Sequence, residues 1–313
     1  MDTGHKSKIS IIMATFNRSH FIMESLHYIR KQTFTEFECL VIDDGSTDET
    51  EKVVLKVASL DPRIRYYKRP AKYLKGLPGC RNYGLDLAQG NYIVFFDDDD
   101  IAHPRLMELA VRILMDSDNS FCRYGRTVFS GDFIEDFDNS EEYLVEKLPE
   151  NLIDLMVTGK IPFNSCQILW SKNCFTELRF NEDLLFAEEW ECYTRILIEK
   201  VRGVNLNKVL YYGRKHANSN TGEFQNRDKI RLASKIHAAE LIVDHLKTAN
   251  NITRTLRKFF IRMAFDLKSK QLLDKILKST DTGISENIKY KLGLQFYPII
   301  RPILKYKGKL KSA

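Results

Sequence analysis

The chain lacks several features that would direct it elsewhere. No apolar run reaches the roughly 18 residues a membrane-spanning helix needs, and the first ten residues, MDTGHKSKIS, contain no apolar stretch of the signal-peptide kind. The six cysteines (Cys39, Cys80, Cys122, Cys166, Cys174, Cys192) are scattered and form no CxxC. That argues against a structural zinc site and against a disulfide framework, and points to a reducing compartment. No nucleic-acid-binding motif accompanies the basic charge, which disfavours RNA or DNA as a partner. What remains is a 313-residue chain, 43% apolar, long enough for a large domain plus an appendage.

The net charge of +6 conceals an asymmetry. Residues from Gln225 to Ala313 hold 20 Lys/Arg against 7 Asp/Glu, a net of +13, so the preceding part carries a net of −7. A basic C-terminal region implies an anionic partner such as a membrane surface or a phosphate-bearing acceptor.

The most informative stretch is Asn91 to Pro104, NYIVFFDDDDIAHP. Tyr92 to Phe96 reads as a strand buried on both faces, as in a parallel sheet. It runs into Asp97, Asp98, Asp99 and Asp100. Four like charges at the end of a core strand need a counter-charge, and hard divalent cations prefer carboxylate oxygen. Ligands of open α/β sheets sit at such strand ends.

Upstream, Lys8–Ala14, Phe37–Ile42 and Arg63–Arg69 read as strands. Helices lie between them, with Ser19 as the N-cap of the first and Ser46 or Thr47 as the N-cap of the second. This is a βαβ wind with a parallel sheet. The second strand also ends in a carboxylate pair, Asp43 and Asp44, so two strand tips can serve one crevice. A short helix carrying Arg81 and Asn82 is read as ending at Gly90 in a C-cap. Downstream, Phe121–Phe129 is a strand and Gly131–Glu150 an acidic surface insertion. Ile161–Trp170 leads into a further strand, with Asn164 and Ser165 in its polar start. Asp183–Glu199 has a helical apolar face with Glu188, Glu189 and Glu191 at its start, and Val204–Tyr212 is a last strand before Arg214 and His216.

The ordered set TFN, QTF, VIDDGSTD, RNxG, AxGxY and FxDxDD closely resembles family 2 glycosyltransferases, strongly over about residues 8–118 and more loosely to His216. The resemblance implies an α/β fold of the GT-A type: a Rossmann-like, mostly parallel sheet flanked by helices. It further implies a nucleotide-sugar donor, a divalent metal (Mn2+ or Mg2+) and inversion at the anomeric carbon. By this resemblance Thr15 and Asn17 touch the nucleotide, Asp43 and Asp44 contact base and ribose, and Arg81 lies against the nucleotide. Asp99 is the direct metal ligand, and Asp97 or Asp98 reaches the ribose or the metal through water. The fourth carboxylate leaves the assignment within the run open.

Glu189 falls at the general-base position, where the family usually has Asp, and Glu188 beside it holds a sugar hydroxyl; the two roles could be exchanged. Arg214 and His216 fit the family's R-x-H, as a diphosphate partner and a metal or diphosphate ligand. No QxxRW follows, so one sugar per encounter is expected.

The division expected is a catalytic domain over residues 1–220 and a helical basic region over 221–313. The expected enzyme is cytoplasmic, or peripheral on the inner face of the membrane. It uses a UDP-sugar and a glycan or lipid-linked oligosaccharide acceptor of surface polysaccharide synthesis. Two other readings are a non-catalytic nucleotide-sugar-binding protein with a degenerate base, and a nucleotidyltransferase.

Overall fold

The structure is a computed structural model that describes residues 9–215, 228–280 and 283–310. Its centre is one sheet of nine strands. The first strands are β1 (Ile9–Thr15), β2 (Phe37–Asp43), β3 (Ile64–Lys68) and β4 (Tyr92–Phe96), joined through α1 (Ile22–Arg30), α2 (Thr50–Ala58) and α3 (Leu77–Leu87). They lie side by side in the order β3-β2-β1-β4, all parallel. β2 is buried at every residue and β1 at all but one, which is why both read as mostly apolar runs, interrupted by Ser10 and Glu38.

The second half continues with the short β5 (Ile101–Ala102), α4 (Leu106–Met115), β6 (Phe121–Ser130), β7 (Val145–Lys147), α5 (Leu152–Val157), β8 (Ile168–Ser171), α6 (Glu188–Ile198) and β9 (Gly203–Lys215). The sheet extends from β4 as β8-β6-β9-β5, with β7 alongside β9. β8 is antiparallel to both β4 and β6, while β6 and β9 are parallel. The 131–144 stretch is largely exposed, as an acidic insertion should be. It is anchored by Phe133 and Phe137, which pack on Tyr28 and Tyr212, and by Asp138, which takes the buried Lys208 ammonium at 2.8 Å.

Three local expectations change. Ser19 is not a cap: α1 starts after Phe21, with no side-chain cap. Ser46 and Thr47 do not cap α2, which follows Glu49; they bind Asn17 instead. Gly90 is not a helix C-cap, since α3 ends at Leu87 with Ala88 as its C-cap. A Cβ at Gly90 would stand 2.6 Å from the Ser10 backbone nitrogen, so the glycine is needed for close approach of two chains.

Two buried polar side chains, one in the QTF motif, serve as scaffold. Gln32 of the QTF motif is buried and donates to the carbonyl of His103 at 2.8 Å, while its Oε1 accepts from the Met107 amide. It ties the end of α1 to the chain just beyond the acidic run. Buried Glu38 accepts from Ser10 Oγ and the Gln89 amide, both at 2.7 Å, and fixes the turn into β4.

The chain divides into two compact units, one up to Ser234 and one from Lys235, a division that falls inside α7 (Lys229–Thr248). The second unit adds α8 (Arg254–Asp266), α9 (Lys270–Lys278) and α10 (Ile284–Leu310). Thr253 and Ser269 cap α8 and α9 through the amides of Leu256 and Leu272, each at 3.1 Å. Leu256, Phe260, Leu272 and Ile276 are fully buried with Ile242 and Leu246 from α7, so this unit has an apolar core of its own.

Candidate active site

The parallel register builds the site. Thr15 pairs with Asp43 and Met13 with Phe96, so the carboxyl ends of β1, β2 and β4 emerge on one edge. Asp43 is buried and its oxygens are engaged: Oδ1 accepts from the amides of Gly45 (2.9 Å) and Ser46 (2.7 Å), and Oδ2 accepts from the Tyr66 hydroxyl (2.6 Å). Gly45 has φ +94° and Asn17 has φ +53°, left-handed conformations that glycine and asparagine tolerate best. Asn17 donates its amide to Ser46 Oγ at 2.9 Å and accepts from the Thr47 amide at 2.8 Å. The TFN and DDGST loops are thereby knitted into one floor. Asp44 accepts from Arg69 Nε at 2.5 Å and the Gly76 amide at 3.2 Å. Thr15 is buried at the strand end beneath them.

The acidic run leaves β4 beside this floor. Desolvation pushes Asp97 up to about 6 against the pull of Arg81, and Asp99 and Glu189 push the same way. Desolvation pushes Asp98 up to about 7, with Asp99 adding to it and the Thr15 hydroxyl and Arg18 opposing it. Arg18 Nε lies 3.5 Å from Asp98. Asp100 is raised well above the ordinary carboxylate range, again by burial first; it accepts from the Arg214 amide at 2.6 Å and faces Arg126 at 3.6 Å. Gly213 lets Arg126 reach this position, since a Cβ there would fall 1.8 Å from its Nη2.

Arg81 is the link to the opposite wall. It is 2% exposed and lies between the rings of Phe95 and Phe180. Its Nη1 donates to Glu188 at 3.0 Å; its Nη2 donates to Ser165 Oγ at 2.9 Å and lies 3.0 Å from Glu189 and 3.9 Å from Asp97. Glu188 is buried and pushed up to about 7 by that burial, with Arg81 opposing and Glu189 adding to the rise. Glu189 is less enclosed, its side chain 23% exposed against 8% for Glu188. Its Oε2 accepts from the Ser165 amide at 2.9 Å. The helix expected from Asp183 starts only at Glu188, after Ala187 at φ +66°. That sharp entry sets both carboxylates in the first turn, where the helix dipole favours negative charge. Asn82 secures the approach by accepting from the Phe180 amide and donating to Glu182.

Arg214 clamps the acidic run from β9. It lies between Phe21 and Phe129, donates Nε to the Asp99 carbonyl at 3.0 Å and Nη1 to the Gly131 carbonyl at 2.6 Å, and pairs through Nη2 with Glu24. Its position is beneath the run, with its guanidinium engaged by protein. His216 lies outside the described residues.

Four contributors went unnoticed in the sequence reading: Arg18, Arg126, Cys166 and Tyr211. Arg126 and Tyr211 sit on strands, where an arginine or tyrosine beside an acidic tip is the available signal. Tyr211 accepts from the Asp97 amide at 3.0 Å. Asp97, Asp100 and Cys166 bring ligand atoms within 4.8 Å of one another. A soft metal would want the thiolate, but burial and these two acids raise the Cys166 thiol well above its ordinary value. The donors suited to a metal here are carboxylates, crowded enough to raise one another's proton affinity, and they fit a hard divalent cation such as Mn2+ or Mg2+.

A pH dependence of stability follows. A carboxyl with a raised pKa keeps its proton in the folded chain where the unfolded chain has lost it, so stability falls as pH rises through that window. Asp97, Asp98, Asp100 and Glu188 all act this way. His103, depressed by burial, acts oppositely. The urea midpoint of metal-free protein is expected to fall between about pH 5 and pH 7.5 and to flatten with a divalent cation. A midpoint rising over that range without metal would contradict the carboxylate crowding.

Comparison with known proteins agrees with this geometry. Residues 10–173 match the family described as Glycosyl transferase family 2. The GalNAc(5)-diNAcBac-PP-undecaprenol beta-1,3-glucosyltransferase of Campylobacter jejuni subsp. jejuni serotype O:2 is 38% identical over 112 residues, 36% of this chain and 35% of that protein. Glycosyltransferase GlyG of Streptococcus pneumoniae serotype 4 is 26% identical over 303 residues, 92% of this chain and 96% of that protein. Matches to several of the more identical relatives span only 21% to 43% of those proteins. Among solved structures, S. aureus TarS 1-349 in complex with UDP superposes with a TM-score of 0.65 at 19% identity, covering 88% of this chain and 81% of that one. The mannosyltransferase PcManGT from Pyrobaculum calidifontis in complex with GDP-Man and Mn2+ gives 0.53 at 18% identity, covering 92% and 80%. At these identities the structures speak for the fold, which is GT-A. With the family match covering more than half of its residues, the chain belongs to glycosyl transferase family 2 and is a glycosyltransferase.

Proposed function

We propose that the enzyme moves one sugar per encounter, with inversion, from a UDP-sugar to a hydroxyl of a lipid-linked glycan in surface polysaccharide synthesis. The observation that carries the mechanism is the Arg81 hub. It joins Asp97, at the nucleotide side, to Glu188 and Glu189 on the facing wall, so one constellation can hold a leaving group and a base. The UDP and lipid-linked assignments draw support from the TarS complex and from the undecaprenol-linked substrate named for the Campylobacter relative.

In this reading Thr15, Asn17, Asp43 and Asp44 shape the nucleoside end. Glu189 takes the proton from the acceptor hydroxyl as its oxygen attacks the anomeric carbon. The bond to the diphosphate oxygen breaks on the opposite face, and its electron pair leaves with the nucleoside diphosphate. Glu188, more buried, holds a sugar hydroxyl. Mn2+ or Mg2+, held by Asp97 and Asp99, supplies charge neutralisation at the departing diphosphate when bound. Arg214 keeps the acidic run in place from below.

Calorimetry with UDP-, GDP-, dTDP- and CMP-sugars, each with Mn2+, Mg2+ or EDTA, tests donor and metal together. Tightest binding of a UDP-sugar and its loss in EDTA are expected; equal binding with and without metal would remove the cation from the reading. The anomeric configuration of the product by NMR tests inversion, β from an α-linked donor.

A further inference from the structure

The outward face of α10 is unlike a solvated surface. Ile284, Ile288, Leu292 and Phe296 recur every four residues and are 81%, 53%, 50% and 49% exposed. Four-residue spacing sets them along one stripe of a helix. The other face is where α10 meets the rest of its unit. Glu286 pairs with Arg257 at 2.7 Å, Tyr297 packs edge-on against Phe265, and a Cβ added at Gly293 would stand 3.4 Å from the same ring. The apolar stripe is therefore not a core face awaiting its own domain.

On a helical projection, Lys289 and Lys291 fall at the two edges of that stripe, and both are exposed, Lys291 while pairing with Asp274 at 3.0 Å. In the sequence, the apolar spacing continues at Ile299, Ile303, Tyr306 and Leu310, interleaved with Arg301, Lys305, Lys307 and Lys309. The helix has six basic residues against one acidic, Glu286. No described helix is long and apolar enough to cross a membrane.

We infer that α10 is an interfacial helix that lays this stripe into an anionic lipid surface, with lysines at its edges reaching the headgroups. Charge complementarity selects the occupant. Apolar side chains favour any greasy partner, but a stripe bordered by lysine on a unit of net positive charge fits acidic phospholipid. A self-association face would instead set the edge lysines of one copy against those of the other. The inference extends the proposed lipid-linked acceptor, since it would bring the catalytic unit to the surface where such an acceptor lies. Its test needs neither acceptor nor turnover, so either reading can fail alone.

The full chain is sedimented with phosphatidylcholine vesicles, with and without about a third phosphatidylglycerol, at low and high salt. Binding to the acidic vesicles at low salt, at least tenfold weaker in high salt or on pure phosphatidylcholine, is expected. The double variant I288E/L292E is expected to lose vesicle binding while keeping the melting temperature and UDP affinity of the parent. Should that variant unfold, Lys289→Glu, at an exposed edge, is expected to weaken binding several-fold. Unchanged binding of a folded variant, or no binding by the parent, overturns the inference. So does a dimer in solution that I288E/L292E dissociates, which would assign the face to a second copy.

Discussion

Glu189→Gln is expected to lower the turnover number by about 10²–10⁴-fold and to leave UDP-sugar affinity unchanged. Gln keeps the size of the side chain and can still accept from the Ser165 amide, so the wall at α6 should stand. What it cannot do is take a proton. Glu189 is favoured over Glu188 by access: it is the more exposed of the pair and its carboxylate adds to the charge felt by Asp97. Glu188 is enclosed and directed at Arg81. The comparison that decides between them is steady-state kinetics of Glu189→Gln and Glu188→Gln side by side, with calorimetry for donor binding. A larger loss of turnover in Glu188→Gln, with Glu189→Gln near the parent, would reverse the roles. Glu189→Asp retracts the carboxylate by about 1 Å, enough to cost rate when a base must meet its proton in a defined geometry.

The largest effect on stability is expected from Arg81→Met. Breaking a buried ion pair from one side costs about 3–5 kcal/mol, because the remaining charge is left uncompensated. Here one guanidinium serves Glu188, Glu189, Ser165 and, at longer range, Asp97. Met fills a similar space between Phe95 and Phe180 and so separates the loss of charge from the loss of packing. Urea unfolding should show a lower midpoint with an unchanged slope. Adding Glu188→Gln should recover part of the loss, since one orphaned carboxylate becomes a neutral amide. Arg81→Lys should not rescue it, because an ammonium cannot match a guanidinium that donates from two nitrogens. A midpoint for Arg81→Met equal to the parent's would show that Arg81 carries no net stabilisation.

The hub also shows where local reading stops. The resemblance assigns Arg81 to the nucleotide through RNxG, and Glu188 and Glu189 to the base position at the start of a helix. Each came from its own neighbourhood. That the three meet at 3.0 Å, across 107 residues in the case of Arg81 and Glu188, is not written in either neighbourhood. The same holds for Arg214. Its proximity to an acidic run could be guessed, but its pairing with Glu24, 190 residues away, and its enclosure by two rings could not. Ser46 and Thr47 carry the reverse lesson. Their residue type suited a helix cap, and the nearby Asn17 loop claimed their hydrogen bonds instead.

What the sequence by itself determined is the set of parallel strands, the carboxylates at their tips and the helices between them. Those features depend on spacing along a few residues: a run buried on both faces is mostly apolar, and it ends where acids begin. Tertiary structure alone decided that β8 enters antiparallel between β4 and β6. It also decided that one buried arginine gathers the acids of two walls, and that one face of α10 keeps Ile284 and Ile288 in solvent. Such outcomes rest on contacts between distant segments, where the desolvation of a charge or the cover over an apolar side chain is set by whatever else packs there.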